Sequence, residues 1–313
     1  MQYFEATIDS YLLEALHTLP VRTLKDLGFR ARVGLSNDSQ LDPSVTTDYL
    51  IRASVYSPEG KLEKNFDNLG VIAPGEKLFL DLDPLLNKAE KRDQLVLVRL
   101  IPKKHLDASP DKVHTAIPRK ELYALVALGA HQVEYYREDG YSSVVLIATT
   151  AFNYKKFHNI VPTTLIQAPK VFLSNDISTY MSLMNYCPDP AYDLSHQLSC
   201  TLTNSAGEVV TSWKEQLAPF ETKLVDLKEK IRSNSNMHFD ESVQVYCASA
   251  YCDTATIFPM FFTYSARTKT IGFEHTFPPR GYADGAFGKI REQVNTRIKK
   301  SRLFQAVLGG PGV

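Results

Sequence analysis

Hydrophobic and polar residues alternate with a period of two over many short stretches of this chain, a helical period marks its ends, and Glu121–Gly129 (ELYALVALG) fits a helix turn or a strand equally. Tyr49–Tyr56 (YLIRASVY), Lys77–Leu82 and Gln197–Thr203 follow that strand pattern, and Gln94–Ile101 (QLVLVRLI) is a continuous apolar run of strand length, expected at the centre of a sheet. Further strands are predicted over Phe29–Asp38, Gln132–Tyr136, Tyr141–Thr149, Val171–Leu173, Val209–Trp213, Lys223–Leu227, Val243–Tyr251, Met260–Tyr264 and Thr270–Thr276. Turn sequences separate them, among them SPEG at Ser57–Gly60 and REDG at Arg137–Gly140. No strand–helix–strand alternation is present, so the sheets are expected to be antiparallel.

One stretch occurs twice. Ile72–Leu82 reads IAPGEKLFLDL and Leu217–Leu227 reads LAPFETKLVDL, with the same residue at five of eleven positions. A turn glycine precedes each copy, at Gly60 and Gly207, and an aromatic residue follows each glycine at one interval, Phe66 and Trp213. LSND also occurs twice, at Leu35–Asp38 and Leu173–Asp176. Ordered landmarks over such a span point to two copies of one unit. The expected fold is therefore all-β with short terminal helices: two tandem antiparallel immunoglobulin-like β-sandwich domains. The boundaries read from the sequence are 1–27 for an N-terminal helix and lead-in, 28–152 for the first sandwich and 153–170 for a linker. The second sandwich then takes 171–279, and 280–313 holds a basic C-terminal helix and tail.

The helical period marks the two ends. Asp9 and Ser10 precede Leu12, Leu13 and Leu16 in a short capped helix over Ile8–His17, closed before Pro20. Near the other end, Phe287, Ile290, Val294 and Ile298 form one stripe of a helix within Asp284–Lys300. Seven basic residues against two acidic ones lie between Arg280 and Arg302, so the stripe is expected to close the end of the second sandwich with its basic face open to a protein partner, the alternative being peripheral contact with an anionic membrane surface.

Composition adds exclusions. Lys+Arg and Asp+Glu number 35 each, so net charge gives no reason to expect a nucleic-acid partner. No apolar run reaches membrane-spanning length, and the N-terminus has no secretory pattern, so the expected location is cytoplasmic. All four cysteines, Cys187, Cys200, Cys247 and Cys252, fall in the second copy, so disulfides cannot be what holds a fold that the first copy shares. Cys200, Trp213 and Cys247 nonetheless follow the order of the cysteine pair and buried tryptophan of immunoglobulin domains, without the tyrosine two residues before the second cysteine.

Chemistry-bearing patterns are sparse. CxxC, HxxxH and HxH are absent, as are GxSxG, a P-loop and GxGxxG, so no metal and no cofactor is expected and no catalytic residue is assigned. The candidate ligand residues are Glu274, His275, Arg280 and Tyr282 in GFEHTFPPRGY, with Asp189 and Asp193 in the loop NYCPDPAYD. Successive strand residues face opposite ways, so Glu274 and His275 do not readily hold one ion. Phe258, Phe261, Phe262, Tyr264, Phe273 and Phe277 read as core and sheet-pairing residues. The function these patterns lead to is a non-catalytic binding or assembly module with a protein partner or self-association. The alternative is an enzyme or small-ligand carrier with a pocket near Glu274, His275 and Arg280. A filled domain junction would separate the first reading from the second.

Overall fold

The computed structural model describes residues 10–12, 18–38, 47–103, 116–118, 131–139, 142–147, 164–187, 192–234, 237–252 and 257–274. Its strands are β1 (Ser10–Leu12), β2 (Thr18–Arg22), β3 (Arg30–Ser36), β4 (Tyr49–Tyr56), β5 (Leu62–Phe66), β6 (Val71–Ile72), β7 (Lys77–Asp81), β8 (Leu95–Pro102), β9 (Ala116–Pro118), β10 (His131–Tyr136) and β11 (Ser142–Ile147). They continue as β12 (Thr164–Leu173), β13 (Ile177–Asn185), β14 (His196–Asn204), β15 (Val209–Leu217), β16 (Thr222–Asp226), β17 (Gln244–Cys252), β18 (Ile257–Ser265) and β19 (Thr270–Glu274). A 3-10 turn at Lys25–Leu27 and helix α1 (Leu227–Asn234) are the helical elements among the described residues. The protein is thus mainly β, its sheets antiparallel, and no described helix is long and apolar enough to cross a membrane.

Beside the two-stranded ladder of β1 and β9, the larger sheets among the described residues come in two pairs. In the first half they run β2-β8-β4-β5, with β6 also on β4, and β11-β10-β3-β7. In the second half they run β12-β17-β14-β15 and β19-β18-β13-β16. Matching β2 with β12, β3 with β13, β4 with β14, β5 with β15, β7 with β16, β8 with β17, β10 with β18 and β11 with β19 carries every pairing among these strands from one half onto the other. Both sheets of a half feed one core. Val21, Ile51 and Val98 meet Val33, Leu35 and Val133 in the first half, and Val171, Leu198 and Ala248 meet Met181, Leu183 and Phe261 in the second.

The repeated eleven residues form the same structure twice. In each copy the Ala-Pro pair opens a turn whose third residue has positive φ, Gly75 at 81° and Phe220 at 59°. The glutamate N–H donates to the alanine carbonyl oxygen, Glu76 to Ala73 at 3.0 Å and Glu221 to Ala218 at 3.1 Å. Each glutamate side chain then accepts the alanine N–H, at 2.7 and 2.6 Å. The strand that follows, β7 or β16, pairs with the second strand of its half, β3 or β13. Phe66 and Trp213 are likewise equivalent, opposite Ala53 and Cys200. Both are half-buried against their cores rather than inside them.

Several sequence expectations need correction. Residues 10–12 form β1, paired with β9, where a helix was expected over Ile8–His17. Pairing with 116–118 supplies a ladder that a local capping pattern cannot foresee. Strand β12 starts at Thr164, inside the stretch read as linker. LSND is not an equivalent landmark: Leu35–Asp38 ends β3, the second strand of its half, and Leu173–Asp176 ends β12, the first. The true counterpart of Asn37 is Asn185. Asn37 Nδ2 donates to the carbonyls of Thr47 and Ile72, and Asn185 Nδ2 to those of Leu194, Leu217 and Ala218, so each asparagine ties the Ala-Pro turn to the loop entering the third strand. The immunoglobulin cysteine pair is also excluded. Cys200 opposes Ala250 and Cys247 opposes Thr203 on neighbouring strands of one sheet, so successive odd offsets set the two side chains on opposite faces. All four cysteines are free thiols, and burial first, then Glu215, pushes the Cys200 thiol up to about 12.

Candidate functional site at the junction of the halves

Sheet β16-β13-β18-β19 is covered on both faces. Met181, Leu183, Ile257 and Phe261 turn into the second core, and the alternate residues Met184, Phe258, Met260 and Phe262 belong to the core of the first half. Strand β13 is accordingly buried along almost its whole length. A strand buried on both sides loses the two-residue alternation that marks a surface strand, which is why this segment, ISTYMSLMN, gave no strand signal in the sequence. The two cores differ in membership: the first draws on residues of both halves, whereas the second contains only residues of the second half.

Aromatic rings carry much of the contact. Phe220 stacks on Tyr56 at 4.5 Å with 8° between the planes, and Tyr192 meets Phe220 edge-on at 5.7 Å. Phe273 stacks on Tyr135 at 5.1 Å, Phe29 meets Tyr264 edge-on at 6.3 Å, and Tyr180 stacks on Phe262 at 5.3 Å. The backbones approach closely as well. A Cβ on Gly60 would lie 2.0 Å from the carbonyl oxygen of Pro219, so only glycine fits at the tip of the SPEG hairpin. The N–H of Thr222 donates to the Pro58 carbonyl at 3.1 Å. Phe220 thus takes a left-handed conformation that costs a non-glycine residue about 1–2 kcal/mol, and the burial of its ring between Tyr56 and Tyr192 offsets that strain.

A buried ion pair completes the junction. Arg22 Nη2 donates to Asp93 Oδ2 at 3.0 Å, with both side chains almost wholly enclosed. Arg22 Nη1 donates to Thr222 Oγ1 at 3.2 Å, and Thr222 Oγ1 in turn donates to the Leu183 carbonyl. Tyr135 Oη donates to the Arg22 carbonyl at 2.8 Å, and burial drives the tyrosine pKa far upward. Burial also raises the Asp93 carboxyl against the pull of Arg22. Beside these satisfied groups, Ser182 Oγ is buried on the same sheet face with no hydrogen-bond partner among the described residues. Removing an unsatisfied hydroxyl lifts a desolvation cost, so Ser182→Ala should leave the urea midpoint unchanged or raise stability by about 1 kcal/mol. A loss of more than that would mean the hydroxyl is bonded in solution.

The candidate ligand residues are not assembled by the described part of the structure. Glu274 ends β19 opposite Phe261. His275, Arg280, Tyr282, Asp189, Phe277 and the helix over Asp284–Lys300 lie outside the described residues. Asp193 is exposed on the loop before β14. The tyrosines of that loop, Tyr186 and Tyr192, are buried in the first core, and Tyr192 Oη donates to Asn185 Oδ1 at 2.7 Å. NYCPDPAYD therefore supplies junction packing through its aromatics. The described residues include an open cleft of about 570 Å³ over Glu215, Lys223, Asp226 and Lys230, and another of about 470 Å³ beside Gly60, Leu62 and Pro219. In the larger, Lys230 and Lys223 flank Glu215 at 2.9 and 3.6 Å, so both lysines are paired with that carboxylate.

No family model matches the chain, and a search of curated proteins finds no relative. Among solved structures, the chain is similar at 11% identity to part of a beta-glucuronidase from glycoside hydrolase family 2, with 88% of this chain and 26% of that one covered and a TM-score of 0.18. An anti-sigma factor domain-containing protein is similar at 8% identity, with 84% and 80% covered and a TM-score of 0.16. The chain spans about a quarter of the glucuronidase, and scores this low bear neither on fold nor on function.

Proposed function

We propose that the chain is a non-catalytic binding or assembly module made of two tandem immunoglobulin-like β-sandwiches locked into one rigid body. The supporting observation is the filled junction, where rings from both halves and the Arg22–Asp93 pair occupy the space a ligand pocket between domains would need. The pairings β3–β7 and β4–β8 correspond to B–E and C–F of an immunoglobulin sandwich, and the flanking strands β2 and β10 occupy exchanged sheets. Two sandwiches fixed in one orientation present sheet faces and loop ends at set distances. Such preorganisation favours binding because little freedom is lost on docking.

A thermal-melt panel of sugars, nucleotides and divalent ions tests this reading. The module predicts no ligand whose stabilising effect on the full chain is abolished by Glu274→Gln, His275→Ala or Arg280→Ala. A ligand that raises the melting temperature of the natural protein but not of those variants would instead support the small-ligand carrier.

A further inference from the structure

The outer face of β3, β7 and β10 is the counterpart of the sheet face through which β13, β16 and β18 receive the first half. Registers fix the matches: Phe79 opposes Gly34 as Leu224 opposes Ser182, and Glu134 opposes Arg32 as Phe262 opposes Tyr180. The two faces carry opposite chemistry. Where the second half stacks Tyr180 on Phe262, the first half pairs Arg32 with Glu134 at 2.6 Å. The guanidinium of Arg32 also lies 4.4 Å above the ring of Phe79, which among the described residues is the large apolar side chain exposed on this face. At the turn, the buried knob Phe220 is matched by Gly75, whose surroundings are open. On the complementary side, the hairpin tip before Gly60 offers Tyr56 to that knob, and the tip before Gly207 offers only Thr203.

We infer that the face of β3, β7 and β10 is a charged cap, which rejects the docking that its counterpart accepts. The contact between halves is then made once per chain and does not propagate to a second copy. Without the substitutions, a docking surface at one end and its complement at the other would be a head-to-tail interface, the kind that extends into open filaments. Burying Arg32 and Glu134 under another molecule would desolvate both ions, and their mutual attraction does not reliably repay that cost. Terminal units of repeat proteins need a polar outer face for the same reason. The inference rests on the two-sandwich reading, but its failure would leave that reading standing.

Exposed positions on the two unused surfaces allow a direct test. Pro74→Cys and Ser205→Cys in one chain would be oxidised by copper-phenanthroline at increasing protein concentration, and sedimentation velocity would follow the same samples. With the cap intact, the expected result is no disulfide-linked ladder and a concentration-independent sedimentation coefficient. The same cysteine pair combined with Arg32→Tyr and Glu134→Phe should give a ladder that grows with concentration. Adding Gly75→Phe and Thr203→Tyr should strengthen it. A ladder in the otherwise natural chain would overturn the inference, whatever the stability of the variants. So would a folded, cap-free variant, checked by circular dichroism, that remains unlinked.

Discussion

Phe220→Ala should lower the stability of the whole chain by about 3–5 kcal/mol, the range for removing a large buried aromatic side chain. Phe220→Gly should cost about 1–2 kcal/mol less than alanine, because glycine adopts positive φ without strain. That order is the reverse of what an ordinary β position gives, where glycine is worse than alanine. It follows from the two properties Phe220 combines, a ring enclosed by Tyr56 and Tyr192 and a backbone φ of 59°. Urea unfolding of the three proteins reads both effects. Midpoints close to that of the natural chain would show that the ring does not anchor the junction, and alanine equal to or better than glycine would show that its backbone is relaxed.

Asp93→Ala should be comparably damaging, about 3–5 kcal/mol, because it leaves the Arg22 guanidinium enclosed without its counter-charge. Replacing both partners by apolar residues of similar size, Arg22→Met with Asp93→Leu, should recover much of that loss. The Arg22 bond to Thr222 carries the consequence across the junction, so the single variant should also loosen the Ala218–Thr222 turn. A double-mutant cycle by urea unfolding measures the coupling. Additive losses would mean that the pair is solvated and makes no joint contribution.

The recurrent turn was readable because the repeated segment has tight demands: proline to set φ, a residue at positive φ, and a glutamate to close the ring onto the alanine N–H. Strands with one wet face were readable for a similar reason, since burial on one side imposes alternation. The junction was not. It depends on β13, whose two buried faces erase that alternation, and on Phe220, which occupies in one copy the position glycine holds in the other. Sequence comparison of the two turns shows the glycine–phenylalanine difference, and read as an unusual residue at a left-handed position it would have pointed to the contact. LSND misled because identical letters sat on non-equivalent strands, and the structurally equivalent asparagines, Asn37 and Asn185, share only the leucine two residues before them. The ion pair spans β2 and the loop before β8, a separation that no local pattern reports.

Hydrogen exchange on the full chain, comparing the natural protein with Phe220→Asp, tests most directly whether the junction is part of the first half's core. The second core contains no residue from the first half, whereas the first core contains Met184, Tyr186, Phe258, Met260 and Phe262 from the second. The expected result is therefore asymmetric: amides of β2, β4 and β8 lose protection together with the junction turn, and those of β14 and β17 keep theirs. Faster exchange confined to Ala218–Thr222, with β2, β4 and β8 as protected as before, would contradict the account and make the junction a surface contact between two independent halves.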